Sequence, residues 1–244
     1  MWNRFRIYSL ALFLLFLSVV AVHAGESGFV FSVPQGWLNL ADIDSKYLSA
    51  EFRRIKESGI YSILAVDPED PKHAAMNAII KQERIEVTEG MLQTVAETMR
   101  QEILEHPAMK EVEQKTGMGV TGFDFKLKSS ELLRYGDVTV GRMVAAITVN
   151  SVSTMQVIYY LPGENSYAVL TFATTAAKFP WYEKVFDDVA RNVKGVANPK
   201  TSMVNWNRIM GKAAGAGLLA AIAGAILVFS TWMQNRKADK KENN

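Results

Sequence analysis

Ser130–Thr174, reading SELLRYGDVTVGRMVAAITVNSVSTMQVIYYLPGENSYAVLTFAT, decides the fold. Four runs within it, Ser130–Tyr135, Thr139–Val149, Ser153–Leu161 and Tyr167–Thr174, are rich in Val, Ile, Thr and Tyr and alternate in character. That is the pattern of strands pleated between two environments. Their breaks are Tyr135-Gly136-Asp137, Asn150-Ser151 and Pro162-Gly163-Glu164-Asn165. These residue types supply the backbone angles of tight reversals, so the four runs predict an antiparallel meander. Gly141 is expected to mark a bulge in the long second strand.

Outward from this block the signals change period. Pro180 opens a helix expected to run to Lys194, with Tyr182, Val185, Phe186, Val189 and Val193 as its apolar stripe and Gly195 as its C-terminal cap. Upstream, Thr88 caps a helix whose Leu92, Val95, Ala96, Met99 and Ile103 share one face, and Pro107 ends it. Tyr61–Val66 and Met76–Gln82 read as strands, and Gly28–Val33 as a short strand before the turn Pro34-Gln35-Gly36-Trp37. Lys46–Glu57 places Leu48, Phe52 and Ile55 on one helical face, and Gly59 stops it. Helices standing apart from consecutive strands indicate an α+β fold, with an antiparallel sheet covered by helices.

Phe29-Val-Phe-Ser-Val-Pro-Gln-Gly-Trp37 resembles the opening strand and Pro-x-Gly-Trp turn of PsbP-like domains, a group that includes the DcrB-type bacterial envelope proteins. The run Val157-Ile-Tyr-Tyr-Leu-Pro-Gly, with Tyr167–Phe172 and Phe186-Asp187, is similar to that family's closing hairpin and helix. The resemblance spans roughly Gly28 to Val196 in element order, and these two stretches carry it. It implies an α/β/α sandwich around an antiparallel sheet, and a role among accessory and binding proteins rather than enzymes.

The two ends of the chain predict a membrane protein. Ala213–Met233 is 21 residues without a charge, and about 20 apolar residues cross the roughly 30 Å hydrocarbon layer. Lys212 bounds it on one side, Arg236, Lys237, Lys240 and Lys241 on the other, with Trp206 and Trp232 near the interface levels. At the N-terminus, Arg4 and Arg6 precede an apolar run from Ile7 to Val22, and Val22-His23-Ala24 places small residues where signal peptidase requires them. A cleaved signal peptide and an uncleaved anchor both export the domain beyond them. The expected organisation is a signal peptide over 1–24, an exported domain over 25–197, a juxtamembrane linker over 198–212, a transmembrane helix over 213–233 and a basic cytoplasmic tail over 234–244. The expected location is the inner membrane, with a single span and the main domain periplasmic or extracytoplasmic. Gly211, Gly215, Gly217 and Ala221 set small residues at four-residue spacing, a surface on which a partner helix or a second copy packs closely.

Composition narrows the function. The whole chain carries +2, but residues 25–199 hold 18 Lys+Arg against 23 Asp+Glu, a balance of −5. A mildly acidic domain is poorly suited to nucleic acid, whose binding depends on phosphate neutralisation. With no cysteine there is no disulfide, thiol catalysis or thiolate metal site. Histidine chemistry after the signal would have to use His73 or His106. Neither Gly-x-Ser-x-Gly, a phosphate-cradling glycine loop nor His-Glu-x-x-His occurs. We therefore expect no catalytic residue and no cofactor. Asp67, Glu69, Asp70 and His73 are the candidates for a metal, but their spacing matches no established cation loop and two prolines stiffen it, so they read as a solvated acidic turn. Trp37, Tyr159, Tyr160, Trp181 and Tyr182 are the candidates for an apolar groove that takes a ligand or partner; as core residues they would instead fill the sandwich.

The leading expectation is a non-enzymatic, membrane-anchored envelope protein whose exported domain binds or assists another exported or membrane protein. A carrier or sensor of a small apolar ligand is the alternative, and a carboxylate-dependent hydrolase a third. The topology has a direct check. Protease added to intact spheroplasts is expected to remove residues 25–199 and spare a tag on the C-terminal tail; a protected domain overturns the assignment of both apolar segments.

Overall fold

The computed structural model describes residues 21–23, 28–48, 53, 56–67, 74–101, 123–149 and 152–200. Its strands are β1 (Ala21–His23), β2 (Val30–Ser32), β3 (Leu38–Asn39), β4 (Ile63–Val66), β5 (Ala74–Lys81), β6 (Phe123–Tyr135), β7 (Val138–Val149), β8 (Val152–Pro162) and β9 (Tyr167–Thr174). Its α-helices are α1 (Glu89–Gln101) and α2 (Phe179–Arg191). The sheet holds seven strands in the order β3-β4-β5-β9-β8-β7-β6, every neighbour antiparallel, and β1 and β2 form a separate pair. This is the α+β architecture that the meander predicts.

Alternation along the strands supplies two cores, one per face. Ile79, Ala145, Ile147, Ile158, Tyr160 and Val169 meet Met91, Leu92, Val95 and Met99 of α1. Their chain neighbours Ala78, Val144, Val157, Tyr159, Ala168 and Leu170 meet Tyr182, Phe186, Val189 and Ala190 of α2, with Phe29 and Phe31 beside them. The predicted Thr88 cap is in place: its Oγ1 accepts from Met91 N at 3.1 Å.

Four details depart from the sequence reading. β6 begins at Phe123 rather than Ser130, because Lys126–Ser130 are all exposed and give no buried-strand signal. Gly141 is regularly paired, with Leu132 on β6 and Tyr160 on β8; the register shift lies between Leu127 and Ser129. Gly141 instead makes room for α1, since a Cβ there would sit 2.7 Å from Leu92 Cδ2 and 2.9 Å from Val87 Cγ1. The expected helix over 46–57 opens as a 3₁₀ turn at Ser45–Tyr47, and much of the remainder lies outside the described residues. Lastly, α2 ends at Arg191, so Gly195 is not its cap.

Gly195 instead lets the chain ends cross. Val30 and Lys194 exchange backbone hydrogen bonds of 3.1 Å each way. At φ +88, Gly195 lies against the Gly28 carbonyl, with which any Cβ would collide. Three residues of the segment read as a signal peptide, 21–23, pair with β2. Residues 201–244 lie outside the described residues, and with them the apolar run 213–233 and the small-residue positions Gly211, Gly215, Gly217 and Ala221. Among the described residues no helix is long and apolar enough to cross a membrane.

The two kinds of glycine are expected to separate in denaturant unfolding. Gly195→Ala should cost about 3 kcal/mol, because it adds a backbone collision to an unfavourable φ. Gly136→Ala, at φ +64 with open space around it, should cost only about 1 kcal/mol. Equal midpoints for the two variants would contradict the crossing at Gly28.

Candidate functional site

Arg142 is the only charged residue in the apolar run Val138–Val149, and it is 7% exposed. The sheet register puts Glu131 of β6 directly opposite it on one side and Tyr159 of β8 on the other. Above it, Glu183 and Asp187 occupy i and i+4 on α2 and so share a helical face. The guanidinium fork reaches all three carboxylates: Nη1 donates to Glu131 Oε1 at 2.8 Å, Nη2 to Glu183 Oε1 at 2.5 Å and Nε to Asp187 Oδ1 at 3.1 Å. Tyr159 Oη donates to the same Asp187 oxygen.

Electrostatics fix the charge states. Burial disfavours a charged Arg142, but the Tyr159 oxygen, Glu183 and Asp187 outweigh it and hold the guanidinium above even its usual range. Burial, reinforced by Asp187, pushes the Tyr159 hydroxyl well above the ordinary tyrosine value. Burial also pushes Tyr135 up to about 12. Arg142 is thus a permanent cation and Tyr159 a permanently neutral donor. Each nitrogen of the fork is committed to a carboxylate of this chain.

An aromatic layer continues from Tyr159. Its ring meets Phe172 edge-on at 6.1 Å, Phe172 stacks on Phe186 at 4.6 Å, and Phe186 stacks on Tyr182 at 5.7 Å. Trp37 closes the layer, 6.1 Å from Tyr182 and 6.5 Å from Phe186. Of the five aromatic candidates the structure therefore brings Trp37, Tyr159 and Tyr182 together, as packing. Tyr160 is fully buried on the opposite face. Trp181 is 80% exposed beside the buried Tyr182. Of the four metal candidates, Asp67 accepts from Tyr182 Oη at 2.6 Å; Glu69, Asp70 and His73 lie outside the described residues. Among the described residues no group of three or more His, Cys, Asp or Glu could hold a metal ion.

Sequence reasoning missed the Arg142 cluster. The available signals were a lone arginine inside an apolar strand and a Glu-x-x-x-Asp pair on an amphipathic helix. It also missed how the tether begins. Residues 198–200, expected to begin the juxtamembrane linker, are held on the β8–β9 turn. Ala197 N donates to Pro162 O at 3.0 Å and Lys200 N to Glu164 O at 3.2 Å, and the Lys200 ammonium sits 2.6 Å from Glu164. Arg84 clamps the same place, donating to Lys200 O at 3.2 Å and to Asn165 Oδ1 at 2.6 Å. Asn198 reaches Asp137 in the β6–β7 turn at 3.2 Å.

No protein-family model matches the chain, and no curated protein sequence does. Among solved structures it is similar to CyanoP, the cyanobacterial PsbP of Synechocystis sp. PCC 6803, at 13% identity and a TM-score of 0.45 over 74% of this chain and 95% of that one. It is similar to the Ran-binding protein Mog1p of Saccharomyces cerevisiae at 8% identity and a TM-score of 0.39 over 72% and 94%. A third is LpqN of Mycobacterium tuberculosis, involved in cell envelope biogenesis, at 14% identity and a TM-score of 0.36 over 72% and 88%.

The Arg142 cluster ties α2 to the sheet, and removing its cation leaves three carboxylates facing one another. Arg142→Ala is expected to cost about 3 kcal/mol of unfolding free energy, below the fully buried extreme because the carboxylates are partly solvated. Arg142→Lys should recover less than half, since a point charge cannot fork to three partners. Thermal denaturation of the two variants checks both figures.

Proposed function

We propose that this protein is a non-enzymatic, membrane-anchored accessory protein of the cell envelope, whose exported α+β domain binds another exported or membrane protein. The observation that carries this reading is Trp181. An indole 80% exposed, next to a Tyr182 that is built into the core, leaves a large apolar surface in water at the start of α2. Tryptophan in that setting is a characteristic anchor of protein interfaces. The charged cluster nearby supports a binding role rather than a chemical one, because its arginine and tyrosine are engaged with Asp187 and its neighbours.

The tether supports the orientation. The chain leaves the domain at the β8–β9 turn, so the proposed anchor at 213–233 is tethered from that end. Trp181 lies near the opposite end of α2, roughly 15 Å along the helix, away from that tether. The residues of Phe29–Trp37 and Val157–Asp187 that resemble PsbP-like domains point to the same class of accessory protein.

A photoreactive phenylalanine analogue at position 181, introduced in cells, tests the reading. One discrete protein adduct of stoichiometric yield is expected, and it should vanish when the reactive residue is moved to Glu97, exposed on α1. Lipid copurifying with the chain in place of any protein adduct would favour the carrier instead.

A further inference from the structure

The sheet ends on β6. All of its 13 residues but Lys128 pair with β7 on one side, and among the described residues no strand pairs with the other side. A free edge presents unsatisfied N–H and C=O groups to any passing strand. Lys126, Lys128 and the irregularity between Leu127 and Ser129 are features that keep strangers off such an edge. Two leucines work in the other direction. Leu127 and Leu132 are 40% and 38% exposed, two of the four large apolar side chains left exposed among the described residues. They stand opposite Ala145 and Gly141, so both lie on the α1 face of the sheet. Their odd spacing would ordinarily divide them between faces; the extra residue at the bulge brings them back to one.

We propose that β6 pairs antiparallel with β6 of a second copy of this chain, about a two-fold axis through Ser130, so that two seven-stranded sheets become one. In this register Leu127 faces the partner's Leu132, and Leu132 the partner's Leu127, covering both exposed leucines on the α1 side. Ser129 faces the partner's Glu131, and Lys128, the extra residue of the bulge, precedes it in the chain. Glu131 belongs to the Arg142 cluster, where one guanidinium meets three carboxylates and negative charge is in excess. The partner's Lys128, next to the Ser129 that faces Glu131, brings a cation beside that excess, twice per dimer.

Other registers lose this match. A slip of one residue sets Leu127 against Glu131 or Leu133, which belong to the α2 face. A slip of two sets it against Ser130 or Arg134. Strand direction reverses across the axis, so the two C-terminal exits lie at opposite ends of the joined sheet. If the chain is anchored as proposed, residues 201–212 span up to about 40 Å, which lets both copies reach one membrane beneath the sheet.

The chain has no cysteine, so introduced ones report cleanly. In the full-length chain in detergent micelles, Ser130→Cys is expected to form a covalent dimer under mild oxidation, because neighbouring strands bring the two copies of this position within disulfide range. Trp181→Cys, exposed but far from the edge, serves as the control. Adding Leu127→Lys with Leu132→Lys should lower the dimer yield by roughly tenfold or more. A mixture of Leu127→Cys and Leu132→Cys chains should crosslink more than either alone, a readout of register that needs no destabilising change. A Ser130→Cys yield no higher than the control overturns the proposal. So does a yield indifferent to the lysine pair, which would assign the dimer to the anchor helix, and so does equal crosslinking of the mixed and unmixed leucine positions.

Discussion

Every residue of β9 is buried, and the rest of the molecule depends on that. A strand at the middle of an antiparallel sheet that is buried at each position needs a cover on both faces. α1 supplies one, packed closely enough that Gly141 has no room for a side chain. α2 supplies the other, together with Phe29 and Phe31. The two covers enter the chain on either side of the meander, so neither core is complete until the sheet has formed. The crossing of Gly28 and Gly195 then ties the first strand of the domain to its last residues.

The face under α2 differs from the face under α1 in holding a charge. Arg142 sits where an aliphatic residue would fill the same space, and replacing such clusters by apolar side chains often raises stability. What the cluster contributes is position. Three carboxylates on two elements can satisfy one fork only if α2 lies in a single place and rotation over β6, β7 and β8. That in turn fixes which α2 residues face out. Trp181 is exposed because Tyr182, one step on, is held by Asp67 and by stacking on Phe186. The proposed partner surface is therefore set by buried polar geometry a few residues away.

Much of the candidate site is illegible in the sequence for a related reason. Residue type selects the aromatic candidates, and type does not tell a groove from a core. Alternation sends Tyr159 and Tyr160 to opposite faces, where the structure has them, yet both are needed to fill the sandwich. The Arg142 cluster depends on cross-strand register and helix placement, neither of which leaves a local mark. The first half of β6 escapes detection because an exposed edge strand has no alternation to read: only Phe125 is buried there, among residues whose side chains are described.

The sequence by itself determined the meander, the two amphipathic helices and the α+β class, because strand and helix periods are local properties that burial imprints on neighbouring residues. It also determined the two terminal apolar runs, whose length and flanking charges are read along the chain. Only the tertiary structure decided which residues stand opposite one another. Register placed Glu131 and Tyr159 beside Arg142, brought Leu127 and Leu132 to one face through a bulge, and laid residues 197–200 along a turn more than thirty positions earlier. These are long-range coincidences, fixed by chain closure and packing rather than by the preferences of any single segment.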